Sequence, residues 1–179
     1  MIAGSAKGRK LIPPEGDLTR PTTDRMKEAL FSVLGDEVVQ SVFLDLFSGT
    51  GAIGVEALSR GAAEACFVDA RTAPLIAKNL ALTRFQARSS VLPLDYAEAL
   101  HRLRCQGTRF DIVFMDPPYC QNLITRAMDL ILSYKLLKPG GLLAAEHSAD
   151  EEPPQSQDDA LTLLKIKKYG LTVFQFYRL

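Results

Sequence analysis

Between Met26 and Leu34 the apolar residues Met26, Ala29, Leu30, Val33 and Leu34 fall at i, i+3, i+4, i+7 and i+8, which is one stripe of a helix. A hydroxyl at Thr22 or Thr23 can cap its free backbone N–H groups, Asp24 favours its positive end, and Gly35 offers a left-handed stop. From residue 42 the pattern changes to short apolar runs alternating with amphipathic stretches. The runs Val42 to Leu46, Ala65 to Asp69, Ser90 to Asp95, Phe110 to Asp116 and Leu142 to His147 predict strands. Between them, 51–60, 72–86, 96–106 and 121–135 have helical spacing, with Gly61, Gly107 and Pro139-Gly140-Gly141 among the closing signals. An α/β fold follows, a parallel sheet covered on both faces. After the acidic segment 148–160, the stretches 161–168 and 171–178 flank Tyr169-Gly170 and predict a terminal hairpin. Residues 2–20 mix Gly, Pro and basic side chains, which suits an extended arm or small hairpin outside the core.

No internal repeat or domain-length linker interrupts this order, and 179 residues are enough for one domain with its own core. A single domain over 1–179 is therefore expected, with an arm at 1–20 and a core at 21–179. Hydrophobic residues at 47% and charged residues at 23% exclude a disordered or fibrous chain. No apolar run is long enough to span a bilayer and the first residues do not resemble a secretory signal, so a cytoplasmic protein without a membrane partner is expected. Cys66, Cys105 and Cys120 lie far apart and outside any C-x-x-C arrangement, and no His/Cys cluster suggests a metal.

The charges cancel, 21 basic against 21 acidic, so only their distribution is informative. Residues 1–27 carry six basic side chains, Lys7, Arg9, Lys10, Arg20, Arg25 and Lys27, against three acidic ones, whereas 150–159 carry five acidic residues and no basic one. The basic end is the candidate phosphate-facing end, with a merely solvated arm as the alternative.

Asp45-Leu46-Phe47-Ser48-Gly49-Thr50-Gly51-Ala52-Ile53-Gly54 holds a G-x-G-x-x-G spacing between a predicted strand and a predicted helix. Gly49 and Gly51 let backbone approach a ligand, and Gly54 lets the helix lie close to the strand. The spacing alone is shared with nicotinamide and flavin enzymes. Asp45 redirects the reading, because a carboxylate just before the first glycine repels phosphate and suits a cation. S-adenosylmethionine carries both an ammonium and a sulfonium, and its carboxylate can use the N–H groups of the helix start. Phe47, inside the loop, joins the cofactor-binding set. Asp69, 20 residues beyond Gly49, can accept from ribose hydroxyls, and Asp95 can accept from an adenine amino group or cap the helix that follows.

Asp116-Pro117-Pro118-Tyr119 ends the Phe110 strand. Two prolines restrict the backbone and remove two donors, leaving the Asp116 carboxylate and the Pro117 carbonyl as fixed acceptors. An exocyclic amine of a base, a poor nucleophile by delocalisation, would be turned by two accepted N–H bonds so that its lone pair meets an activated methyl. Tyr119 offers a ring on which an extruded base can stack. A rigid turn with a core aromatic is the plainer alternative. Glu146 stays unassigned, and His101 and His147 read best as surface residues.

These residues resemble the RsmD-type methyltransferases. The resemblance rests on Ile2-Ala3-Gly4, Gly8-Arg9-Lys10-Leu11, Arg20-Pro21-Thr22-Thr23-Asp24-Arg25, the loop from Asp45 to Gly51, Glu56-Ala57-Leu58-Ser59-Arg60-Gly61-Ala62, Asp116-Pro117-Pro118-Tyr119 and Tyr169-Gly170. It implies a Rossmann-like class I methyltransferase fold, a seven-stranded mostly parallel sheet whose last strand is antiparallel, with helices on both faces and a small basic N-terminal hairpin that helps hold RNA. It further implies methylation of guanine N2 in small-subunit (16S) ribosomal RNA, acting as a monomer on an assembling 30S particle, with Arg20 and Thr22 near cofactor and RNA. Lys7, Arg9 and Lys10 complete the candidate RNA-binding set. Asp69 departs from the family, which often has Glu there, and Ser48 and Thr50 stand where Ala and Ser are usual. Rival readings are an adenine-N6 or cytosine-N4 methyltransferase on DNA or other RNA, a nicotinamide oxidoreductase, and a non-catalytic binder of cofactor and RNA.

Overall fold

A computed structural model of the chain describes residues 1–14, 24–118, 122–152, 154 and 160–179. Helix α1 spans Asp24–Leu34, and its expected capping threonines lie outside the described residues. Then follow β1 Val42–Leu46, α2 Ala52–Ser59, β2 Glu64–Val68, α3 Ala73–Thr83, β3 Ser89–Leu92, α4 Tyr96–Cys105, β4 Phe110–Met115, α5 Leu123–Ser133, β5 Leu137–Ser148, β6 Thr162–Tyr169 and β7 Thr172–Arg178. All seven strands form one sheet in the order β3-β2-β1-β4-β5-β7-β6, and β7 runs antiparallel to both neighbours. The expected mixed sheet and terminal hairpin are both present.

Alternation along the strands divides the core into two layers. Phe43, Phe67, Ile112, Phe114, Ala144, Phe174 and Phe176 pack under α1, α2 and α3, while Leu44, Leu46, Val68, Val113, Met115, Leu143 and Tyr177 pack under α4 and α5. Both faces of the central strands are thus dry, which is why their sequences read as nearly continuous apolar runs.

Two expectations change. The Pro139-Gly140-Gly141 signal does not precede a strand but lies inside β5, where the register jumps from Phe110 opposite Leu137 to Ile112 opposite Leu142. Proline removes a ladder donor and Gly140 takes φ +75°, so the strand bulges here rather than starting afresh.

The N-terminal arm, expected over 1–20 as extended or a small hairpin, also differs over its described residues 1–14, while 15–20 lie outside them. Residues 1–14 hold no strand. They form a loop around a 3-10 turn at Gly4–Ala6, closed where the Gly8 N–H donates to the Met1 carbonyl at 3.0 Å and the Met1 amino group to the Arg9 carbonyl at 2.5 Å. Nor is the segment wholly outside the core, since Ala6 is buried and Met1 and Leu11 pack on the α1–α3 layer. Its backbone needs no partner strand because α2 supplies the partners. Glu56, fully buried, accepts from the Ile2 and Ala3 N–H groups at 2.9 and 3.0 Å and from Arg60 at 2.8 Å. The Ser59 hydroxyl accepts from the Ala6 N–H and donates to the Ala3 carbonyl. A side chain at Gly4 would sit 1.7 Å from the Ser59 carbonyl oxygen. The motifs Ile2-Ala3-Gly4 and Glu56-Ala57-Leu58-Ser59-Arg60 are therefore two halves of one clasp.

Candidate active site at the carboxyl edge of the sheet

The chain builds β1, β2 and β3 outward in one direction, then returns to place β4 on the other side of β1. A crevice opens at such a reversal, outside the carboxyl ends of the strands. Asp45 and Asp116 stand at that point. Asp45 pairs in register with Phe67 on one side and Phe114 on the other, and its carboxyl is buried between them. Its Oδ2 accepts from the Gly54 N–H at 2.9 Å. Burial pushes this carboxyl from 3.8 up to about 8, opposed by the Gly54 hydrogen bond and reinforced by the negative charges of Asp116 and Asp69. Three carboxylates thus converge on one mouth.

The glycine loop is tied across to β2. The Ser48 hydroxyl donates to the Asp45 carbonyl at 2.5 Å and accepts from the Val68 N–H at 2.9 Å, while the Ser48 N–H donates to the Val68 carbonyl at 3.0 Å. Gly49 has φ +54° and nothing within 4 Å of the place a side chain would occupy, so the loop faces open space there. At Gly54 the reverse holds: a Cβ would lie 2.3 Å from the Phe67 ring, and this glycine lets α2 rest against β2. Gly51 begins α2 in the left-handed region at φ 78°. Phe47 also has positive φ, and its half-buried ring lies 5.3 Å from that of Tyr96.

Asp69 links two loops. Its Oδ2 accepts from the Gly49 N–H at 3.0 Å, and its Oδ1 from the Arg71 and Thr72 N–H groups at 2.9 Å each. Asp95 is exposed and caps α4 by accepting from the Ala97 N–H at 2.9 Å, the capping reading that its position allowed. In the proline corner, Asp116 is half-buried, Pro117 buried and Pro118 exposed. Tyr119, Arg20 and Thr22 lie outside the described residues.

Lys7, Arg9 and Lys10 are exposed but are not brought to this mouth. The turn that precedes them docks on Ser59, the last residue of α2, and the Arg9 guanidinium donates to the Leu82 carbonyl near the end of α3. Both helices start at the mouth and end at the opposite edge of the sheet, about 12 Å away along α2.

Several residues escaped the sequence reading. Asn79, fully buried on α3, accepts from the Ile12 N–H at 2.8 Å and donates to the carbonyls of Ile12 and Thr50, joining the N-terminal segment to the glycine loop. Its signal was an amide on the apolar stripe of Ile76, Leu80 and Thr83, where a buried polar group must find partners. Glu146 and His147 are both 4% exposed, not solvent-facing. β7 runs beside β5 as far as the Ser148–Thr172 pair, past the last β4 partner at Ala145, and so covers this end of the strand. His101 is exposed on α4, as expected.

Sheet order, the antiparallel β7 and a glycine loop at the β1 reversal define the class I methyltransferase fold. The family described as "Conserved hypothetical protein 95" matches residues 1–178. The chain is 36% identical over 181 residues to "Ribosomal RNA small subunit methyltransferase D" of Haemophilus influenzae, covering 99% of this chain and 92% of that protein. YlbH of Bacillus subtilis is also 36% identical, over 99% of this chain and 97% of its own. The solved structure of yhhF from Escherichia coli superposes with a TM-score of 0.87 at 33% identity, covering 99% of this chain and 96% of that one. The chain belongs to this family, that of the RsmD-type methyltransferases.

Proposed function

We propose that this protein transfers a methyl group from S-adenosylmethionine to the exocyclic N2 amine of a guanine in small-subunit ribosomal RNA. The observation that carries the reading is the convergence of Asp45, Asp69 and Asp116 on the mouth between β1 and β4, beside a loop with open space at Gly49. A buried carboxyl raised to about 8 by burial and by two further acids is a site that a cation relieves, and phosphate would be repelled from it. That donor set fits S-adenosylmethionine, which when bound supplies a methyl on a cationic sulfur.

In this reading Asp45 offsets the positive charge of the amino-acid moiety, and Gly49, Gly51 and Gly54 allow close approach of backbone to it. Asp69 keeps acceptor capacity for ribose hydroxyls beyond the backbone bonds it makes. Phe47, paired with Tyr96, forms an aromatic wall at the same edge, with Asp95 at the head of α4 beside it. The Asp116 carboxylate and Pro117 carbonyl accept the two N–H bonds of the target amine, which turns its lone pair toward the methyl. The donor, if held there, would supply the methyl, its sulfur being left as a neutral thioether. The nitrogen sheds its extra proton afterwards. A guanine within paired RNA must leave its stack to reach this corner, and Tyr119 gives it a new surface to stack on.

The test incubates the protein with methyl-labelled S-adenosylmethionine and, separately, unmodified small subunits, naked ribosomal RNA and DNA, then digests each and identifies the labelled nucleoside. The expected product is N2-methylguanosine from a small-subunit substrate. Label in adenine or cytosine overturns the guanine assignment. No label in any nucleic acid, despite cofactor binding, overturns catalysis.

A further inference from the structure

The C-terminal hairpin holds charge of one sign. Between Leu161 and Leu179 stand Lys165, Lys167, Lys168 and Arg178, with no acidic residue. Arg178 is engaged by both oxygens of Glu37. The three lysines all lie on β6, one of the two edge strands of the sheet, where Lys165 and Lys168 are exposed and Lys167 is half-buried.

Register separates them by face. Lys165 stands opposite Phe176, Lys167 opposite Phe174 and Tyr169 opposite Thr172, so these three share the face on which α1 packs. Lys168 faces the other way, opposite Val173. Alternate residues of a strand are about 7 Å apart, so the two lysine side chains leave one face at a step on the scale of successive phosphates in a single strand. The row continues past the strand. The Arg25 guanidinium, on the first turn of α1, lies 6.0 Å from the centroid of the Tyr169 ring.

The row also points at the mouth. Thr172 pairs with both Ser148 and Tyr169, so the Tyr169 end of β6 lies at the same sheet edge as the carboxyl ends of β4 and β5. Three strand spacings separate β6 from β4, about 14 Å, within reach of a few nucleotides on either side of a base held at Asp116. Edge lysines also discourage strand-to-strand aggregation. That role alone requires neither the one-sided alignment with Tyr169 nor its extension through Arg25.

We propose that Lys165, Lys167, Tyr169 and Arg25 form a track for the single-stranded RNA flanking the target base, with the lysines and arginine on phosphates and the tyrosine ring beneath a base. This rests on the reading that RNA is the substrate. It assigns the RNA path to the hairpin on the mouth side, and not to Lys7, Arg9 and Lys10 at the far edge.

The test measures binding of a naked small-subunit RNA fragment and of whole unmodified small subunits, and methyl transfer to each, across a salt series. It compares the wild type, the double variant Lys165→Gln/Lys167→Gln and the triple variant Lys7→Gln/Arg9→Gln/Lys10→Gln. The double variant is expected to bind about tenfold more weakly and to lose about 1.4 from the slope of log affinity against log salt, two phosphates' worth for a single strand. Its cofactor affinity and Tm should match the wild type, since both side chains stand on an open edge. The triple variant should change the slope less. A double variant with wild-type affinity and slope overturns the track, while wild-type methyl transfer in the same assay leaves the RNA reading intact. Unchanged binding to naked RNA with lost binding to whole subunits also overturns it, in favour of a protein contact.

Discussion

On the β3-β2-β1 side of the mouth side chains tie each loop to a neighbour, whereas the described residues of the β4-β5-β7-β6 side include an exposed proline at the corner and an edge strand, β6, that carries three lysines. Asp45 holds Gly54, Asp69 holds Gly49 and the start of α3, Ser48 holds Val68, and Asn79 holds Thr50 together with Ile12. Behind them, the Glu56 and Ser59 clasp fixes the N-terminal segment to α2. The other side shows Pro118 exposed and β6 with Leu163, Leu164 and Ile166 all about half accessible. The difference matches what each side is assigned to meet. A small ligand of constant shape rewards a cradle rigid before it arrives. A large polyanion needs an open surface and charges spread along it.

Changes on the tied side should therefore cost stability and cofactor affinity together, whereas changes on the open side should affect RNA alone. The largest effect is expected at Gly54. In Gly54→Ala the new Cβ falls 2.3 and 2.7 Å from atoms of the fully buried Phe67 ring, so α2 must move off β2. A loss of about 2 kcal/mol, hence a Tm lower by about 4 to 8 °C, should accompany weaker cofactor binding in thermal melts and calorimetry. An unchanged Tm would mean that the close approach of helix and strand is not under the constraint described.

A smaller effect, visible as a pH slope, belongs to Asp45. Its folded pKa of about 8 lies above the unfolded 3.8, so the folded state holds the proton more tightly. This contribution to stability is fully present below about pH 4 and is lost as pH rises toward 8. Binding a cation has the opposite preference, because it needs the ionised form. Affinity for S-adenosylmethionine should rise with pH up to about 8, with proton release at pH 7. Calorimetry in two buffers of different ionisation heat measures that release, and Asp45→Asn should abolish it. Release of the same size from the variant would move the linkage to another group.

The sheet was legible in the sequence because its central strands are dry on both faces, so β1 and β4 announce themselves as nearly continuous apolar runs, each broken by a single aspartate. The mouth was legible for a related reason. Glycines and acids at strand ends have few structural uses, and Asp45, Gly49, Gly54 and Asp116 all stand where the spacing put them. What escaped depends on partners distant in the chain. The N-terminal segment reads as a loose arm because Glu56 and Ser59, its hydrogen-bond partners, lie more than 50 residues away. Asn79 marks itself only as an amide on an apolar stripe, and neither it nor Ser48 shows in sequence which distant backbone groups it holds. His147 reads as a surface residue until the hairpin is known to extend the sheet beyond β5. Among the basic N-terminal residues composition leaves place open: the segment that carries Lys7 and Arg9 docks at the far ends of α2 and α3, whereas Arg25 stands beside Tyr169.

The central claim, that one side of the mouth holds the methyl donor and the other the amine, is tested most directly at Asp116. Cofactor affinity and single-turnover methyl transfer should be measured on Asp116→Ala with the same RNA. Transfer is predicted to fall by about 100-fold or more, while cofactor affinity stays within about threefold of wild type. Loss of both in equal measure would contradict that division, because Asp116 would then belong to the cofactor's cradle.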